Sequence, residues 1–286
     1  MSQKEMKSEN ISINPENKDR LFKFIFGNPE NREWTLALYN AINHSNHSLA
    51  SSIEYNTIED FLYMTFKNDV SFIIENTMNL YEHQSTLNPN MPMRFLVYAG
   101  MLYAKYIKGK RKYHRFSKSI QIAPAPKCIC FYNGAKDIED KVIYKLSDAV
   151  GEGTDIEVTV TMYNINYGHN KELLSACKPL SEYSWFVNGV RNKINKGLLI
   201  EDAVEKTLDE MPADYVIRSF LIANKAEVTA MCLKDYNMEE HLREEKEDIY
   251  VSLVKDGDLP IEKAAKRLNM SVEDFQKIMD SQKSLD

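Results

Sequence analysis

The stretch Phe66-Lys-Asn-Asp69-Val-Ser71-Phe-Ile73-Ile74-Glu75-Asn76-Thr77-Met78-Asn-Leu80-Tyr81-Glu82-His83-Gln84 decides how this chain is read. Two runs of alternating apolar residues flank Glu75-Asn76-Thr77-Met78, and Asn76-Thr77 is a plausible two-residue hairpin turn. A period of two places Asp69, Ser71 and Ile73 on one face of the first strand, with Val70, Phe72 and Ile74 on the other. On the second strand Leu80, Glu82 and Gln84 share a face opposite Tyr81 and His83. If 75 pairs with 78, Ser71 lies across from Glu82 and Asp69 from Gln84. A slip of two residues sets Asp69 across from Glu82 and leaves the faces unchanged, whereas a slip of one scatters them. Two acids aimed at one point from a hairpin suit a hard divalent cation, which takes oxygen ligands.

Asp69 on one strand, followed by Glu82-His83-Gln84 on the next, looks like the metal-site pattern of the PD-(D/E)XK nuclease superfamily. The longer string is more specific: Lys67-Asn68-Asp69-Val70-Ser71-Phe72, then Asn79-Leu80-Tyr81-Glu82-His83-Gln84-Ser85-Thr86, then Asn88-Pro89-Asn90-Met91-Pro92. It resembles the bacterial Rpn family of recombination-promoting nucleases, also labelled putative transposases. Supporting strings are Leu21-Phe22-Lys23 with Phe26-Gly27, Phe131-Tyr132-Asn133-Gly134, and Asn164-Ile165-Asn166-Tyr167-Gly168-His169-Asn170. The likeness covers roughly residues 15–250.

The resemblance implies a restriction-endonuclease-like α/β core, a mixed central sheet flanked by helices, and a Mg²⁺-dependent DNA endonuclease, with Mn²⁺ as substitute. Asp69 and Glu82 would hold the cation, with the backbone carbonyl of His83 as a further ligand. Asp69, Glu82 and Gln84 are then the expected catalytic residues. The superfamily's lysine position is Gln84 here, which can hydrogen-bond but carries no charge. Superfamily members often add an acid from the first helix. Asp19 is the best match for it, a plain N-cap being the alternative.

The 286 residues are 43% hydrophobic and 27% charged, ordinary for a globular protein. No run approaches the roughly 18 apolar residues of a spanning helix. No apolar segment follows Met1, and the four cysteines (128, 130, 177, 232) form no C-x-x-C pair, so a cytoplasmic protein with reduced thiols is expected.

A net charge of −6 argues mildly against nucleic acid until it is read locally. Lys105, Lys108, Lys110, Arg111, Lys112, Arg115 and Lys118, with His114 and no acid, form a basic strip, and removing these seven charges leaves −13 on the rest. Tyr106, Tyr113 and Phe116 are interleaved with them. Such a strip is the footprint of a phosphate-binding face, and double-stranded DNA is the expected partner. A homodimer is allowed.

Residues 1–14 read as loose and 15–170 as the nuclease-like core. Residues 171–254 read as a helical extension, and 255–286 as a small helix-turn-helix-like pair. Within the core, helix is expected from 17 to 42 with a break at Gly27-Asn28-Pro29, and again from Pro92 to Tyr106. Strands are expected at 127–132 and at 155–163, where Ile156, Val158, Val160 and Met162 share a face. His169 and Asn170 read either as substrate contacts or as a turn before the helix at Lys171. His44 and His47 read as solvent-exposed loop residues. Besides the endonuclease, two other readings stand: a DNA-binding or regulatory protein on a nuclease fold that no longer cuts, and a scaffold in which Asp69 and Glu82 are surface acids.

Overall fold

The computed structural model describes residues 21–55, 70–109, 118–151 and 153–283, without the side chains of 109, 234, 236–245 and 281–283. They form two compact units, the first ending at Lys225 and the second beginning at Ala226. The first is α/β, a mixed six-stranded sheet with helices on both faces. The helices after residue 170 belong to this unit up to Lys225.

Helix α1 (Leu21–Phe26) buries Leu21, Phe22, Ile25 and Phe26. The chain then breaks at Gly27 and Pro29 before α2 (Arg32–Asn43). Asn31 Nδ2 and Thr35 Oγ1 donate to the carbonyls of Ile25 and Phe26, satisfying acceptors that the short first helix leaves open. Strand β1 (Glu54–Tyr55) pairs antiparallel with β2 (Val70–Ile74), which pairs antiparallel with β3 (Thr77–Gln84). Helix α3 (Met91–Gly109) crosses to β4 (Ala125–Tyr132), which runs parallel to β3. After β5 (Lys141–Lys145) and the single turn α4 (Ser147–Val150), β6 (Thr159–Asn164) inserts between β4 and β5. The strand order is β1-β2-β3-β4-β6-β5.

The hairpin register is the two-residue slip. Ser71 lies opposite Leu80 and Ile74 opposite Thr77, so Glu75-Asn76 forms the turn and not Asn76-Thr77. Glu75 takes a left-handed φ of 53°, a conformation more usual for asparagine. The register is set by side-chain fit, with Ile73 against Met78 and Phe72 against the ring of Tyr81 in a T-shaped contact at 5.3 Å. Because the slip is even, the predicted faces survive.

One face of the sheet carries Met78, Leu80, Cys130, Tyr132, Val160 and Met162, covered by Met91, Phe95, Tyr98 and Leu102 of α3. The other face is aromatic. Phe22 lies 5.0 Å from Phe131 and 5.8 Å from Tyr183, a residue of the long helix α6 (Lys178–Ile194) that follows α5 (Lys171–Ala176). Helices α7 (Ile200–Glu210) and α8 (Arg218–Ala223) complete this layer.

The strand expected from 155 begins only at Thr159. The carboxylate of Glu157 accepts the backbone N–H groups of Leu146 and Ser147, which holds the approach out of the ladder and leaves Ile156 exposed. Strand β5 has no counterpart among the expected strands. It is an edge strand with exposed Lys141 and Lys145, a common way to blunt an edge.

The second unit contains α9 (Lys225–Lys255), α10 (Ile261–Arg267) and α11 (Val272–Lys283), with Val251, Ala264, Ala265, Phe275 and Met279 as its core. Ser271 caps α11: its Oγ accepts from Asp274 N and donates to the Asp274 carboxylate. Among the described residues no helix is long and apolar enough to cross a membrane.

Candidate functional site

Glu82 and Gln84 point from β3 toward α3, sharing a face with Ser71, Leu80 and Met78. Both are buried, at 4% and 5% exposure, so Glu82 is not a surface acid on a solvated sheet face. The first turn of α3 lies over them. Arg94 Nη2 meets Glu82 Oε1 at 2.6 Å, and Arg94 also donates to the Tyr98 hydroxyl from Nη2 at 2.8 Å and from Nε at 3.3 Å. Gln84 Nε2 donates to Met91 Sδ, while its carbonyl Oε1, fully enclosed, has no hydrogen-bond partner among the described residues.

His83 points to the opposite face, where it stacks on Phe22 at 5.2 Å and its Nε2 shares a hydrogen bond of 3.0 Å with the Tyr183 hydroxyl. Only its backbone is on the metal side of the expectation. Gln84 O accepts from Asn133 N, the residue after β4, so alternation along the strand directs the His83 carbonyl toward the β2 side. That is the side from which the second acid is expected. Asp69 itself, like Asp19, lies outside the described residues.

The donors expected to hold a cation here are hard, the Glu82 carboxylate and the His83 backbone carbonyl, without thiolate or imidazole nitrogen. They fit Mg²⁺ or Mn²⁺ better than a soft ion. Among the described residues no group of three or more His, Cys, Asp and Glu could hold a metal, and a cation at Glu82 would need Asp69 as its second acid.

The basic strip is described in part. Lys105 and Lys108, on the last turns of α3, and Lys118 are exposed, while Lys110, Arg111, Lys112 and Arg115 lie outside the described residues. Ile120 and Ile122, next to Lys118, are strongly exposed as well.

His169 and Asn170 do not join Glu82 and Gln84. His169 Nδ1 lies 2.9 Å from Asp140 Oδ1 and its Nε2 lies 3.3 Å from Asp137 Oδ1. Asn170 takes φ of 38° ahead of α5, and its amide donates to the carbonyls of Asp140 and Asn164. These bonds tie the loop before β5 to the end of β6, as the turn interpretation expects. The hydrogen bond from His169, then one from the Asn170 backbone, holds the Asp140 carboxyl below its ordinary range. A depressed carboxyl pKa contributes stability that is fully present above the unfolded value near 4 and is lost as pH falls through the folded value. Wild type should therefore exceed Asp140→Asn by at most about 1 kcal/mol at pH 7, the pair being exposed, with the gap closing below about pH 4. Thermal melts across that range check it.

A second polar cluster escapes sequence reasoning. Arg191 of α6 donates to Asn133 Oδ1 at 2.8 Å, to Asn166 Oδ1 at 3.2 Å and to the Asn133 carbonyl. Asn166 Nδ2 donates to Gly134 O. A methyl group on Gly134 would come within 1.9 Å of Ser85 O, so only glycine lets the chain leaving β4 pass the end of β3. Phe131-Tyr132-Asn133-Gly134 and Asn164-Ile165-Asn166 thus meet as one joint that fixes the carboxyl ends of β3, β4 and β6. His44 is exposed, and His47 is half-buried against Tyr39. All four cysteines are free, and burial pushes the thiols of Cys128 and Cys177 up to about 12, which makes them inert.

No family model, no curated protein and no solved structure matches this chain.

Proposed function

We propose that the protein is a metal-dependent DNA endonuclease of the PD-(D/E)XK type, similar to the Rpn recombination-promoting nucleases. The observation that carries this is the burial of Glu82 beside Gln84 on the inner face of β3, with an enclosed amide oxygen lacking a hydrogen bond among the described residues. Burying a carboxylate is costly, and a chain that does so beside an unsatisfied acceptor has a use for both. The element order, helix, three-strand antiparallel meander, crossover helix and parallel strand, is compatible with the α/β nuclease core to which the resemblance points.

Asp69 and Glu82 would hold the cation with the His83 carbonyl. A bound Mg²⁺ supplies Lewis acidity toward the scissile phosphate and a more acidic water. Gln84 aligns the attacking water through its carbonyl oxygen, a role for an acceptor that has no other bond among the described residues. The joint at Asn133, Asn166 and Arg191 keeps the end of β3 rigid, which positions Glu82 and Gln84. The test is nicking of supercoiled plasmid in Mg²⁺ or Mn²⁺, with EDTA as control.

The ion pair between Arg94 and Glu82 favours a second reading, a nuclease-like protein that binds DNA without cutting. It is distinguished by DNA binding at full affinity with no nicking in either metal.

In both readings the basic strip carries the DNA. Replacing Lys110, Arg111 and Lys112 by Gln should weaken duplex binding regardless of sequence. The slope of log K against log[salt] should flatten by roughly 0.9 for each phosphate that is no longer neutralised. Fluorescence anisotropy at several salt concentrations measures this; an unchanged slope removes the strip from the interface.

A further inference from the structure

Arg94 stands in a place that helix electrostatics disfavours. It occupies the first turn of a 19-residue helix, where the positive pole repels a cation by about 0.3–1 kcal/mol, and no acid in that turn offsets it. Its guanidinium is nevertheless held inward, on Glu82 Oε1 at 2.6 Å and on the Tyr98 hydroxyl at 2.8 Å. The two ends of the ion pair are unequal. Glu82 is 6% exposed along its side chain and Arg94 is 28% exposed, so the arginine is the more accessible of the two. Beside them, Gln84 occupies the position where the resembling superfamily carries a lysine, and the amide brings no charge.

We propose that the Arg94 guanidinium is the mobile positive charge of this site: it neutralises Glu82 until a divalent cation arrives, then turns to the phosphate that a lysine would otherwise hold. This rests on the nuclease reading for its second half only. A guanidinium and a divalent cation compete for one carboxylate, and the more accessible partner is the one that can leave. Once released, a planar guanidinium suits a phosphate, to which it can donate two parallel hydrogen bonds. Tyr98 supplies the pivot, since both Nε and Nη2 donate to its hydroxyl.

The competition gives a readout independent of cleavage. In Arg94→Gln the buried carboxylate loses the guanidinium it pairs with, so the metal-free protein should melt below wild type. Mn²⁺ should then bind about tenfold tighter or more than in wild type, and should raise the melting temperature by more, because the cation no longer displaces a charge. At saturating Mn²⁺ the single-turnover cleavage rate of Arg94→Gln should fall by about 10²–10³, with DNA affinity little changed. Arg94→Lys keeps a charge on a flexible stem. It should restore the metal-free melting temperature most of the way, return Mn²⁺ affinity toward wild type and recover part of the rate, and it guards against a Gln variant that fails to fold.

Equal or weaker Mn²⁺ affinity in Arg94→Gln, without extra thermal stabilisation by the metal, would overturn the counter-ion role. Cleavage by Arg94→Gln at the wild-type rate would overturn the phosphate role. A wild-type protein that binds Mn²⁺ but never nicks DNA would sink the nuclease reading and the phosphate role with it, while the affinity comparison still decides who holds Glu82.

Discussion

Replacing Glu82 with Gln should cut the single-turnover cleavage rate by at least 10²–10³ and leave the melting temperature within a few degrees of wild type. The two effects separate because of where the ion pair's ends lie. The amide is nearly isosteric with the carboxylate, so the packing under α3 is kept. What loses a partner is Arg94, the more accessible of the two, and its guanidinium retains the Tyr98 hydroxyl as acceptor. The reverse replacement, at Arg94, takes a charged hydrogen-bond partner from a buried carboxylate and costs more. The fall in rate reflects the removal of a charged oxygen ligand, which an amide cannot replace at equal strength. A quenched cleavage assay and a thermal melt read the two quantities on the same preparation. A Glu82→Gln protein that cuts at the wild-type rate would make the acid structural, and a collapse in melting temperature would make the ion pair part of the core.

The largest effect on stability is expected at Phe22→Ala. The ring is completely buried and is shared by Phe26 at 4.8 Å, Phe131 at 5.0 Å, His83 at 5.2 Å and Tyr183 at 5.8 Å. Removing it opens a cavity walled by rigid rings from α1, β3, β4 and α6, which cannot collapse inward together. The cost should be about 3–5 kcal/mol, the upper range for an aromatic truncation. For a unit of this size that is on the order of 10 °C in melting temperature. The cavity is on the face opposite Glu82, so cleavage measured well below the transition should stay within a few-fold. A melting temperature within 2–3 °C of wild type, by about 1 kcal/mol of loss, would mean that the aromatic layer is not the keystone of this face.

Period two and helical spacing are enough to sort the residues of β2, β3 and α3 onto faces, because those faces are each buried against a different layer. Turn chemistry misplaces the hairpin register by two residues. It favours Asn76 for the left-handed position, whereas the pairing of Ile73 with Met78 and of Phe72 with Asn79 outweighs the cost of φ 53° at Glu75. Strand β5 is hidden because an edge strand with lysine at both ends has little apolar contrast. Glu82 and Gln84 are legible as a pair, but Arg94 is not. Its partner is 12 residues away on another element, and the one local hint, a cation in the first turn of a helix, has no meaning until the strand beneath it is known. Arg191 and Asn133, 58 residues apart, are a pair of the same kind. Asn133-Gly134 announces a turn correctly, and only the packed fold shows that Gly134 must also clear Ser85 O.

In the proposed site Asp69 and Glu82 together would hold one divalent cation. A calorimetric titration with Mn²⁺ of wild type, Asp69→Asn and Glu82→Gln, without DNA, measures this directly. Wild type should take up Mn²⁺ at one site, and both variants should lose measurable binding, with each still folded by thermal melt. Asp69→Asn binding Mn²⁺ as tightly as wild type would contradict it.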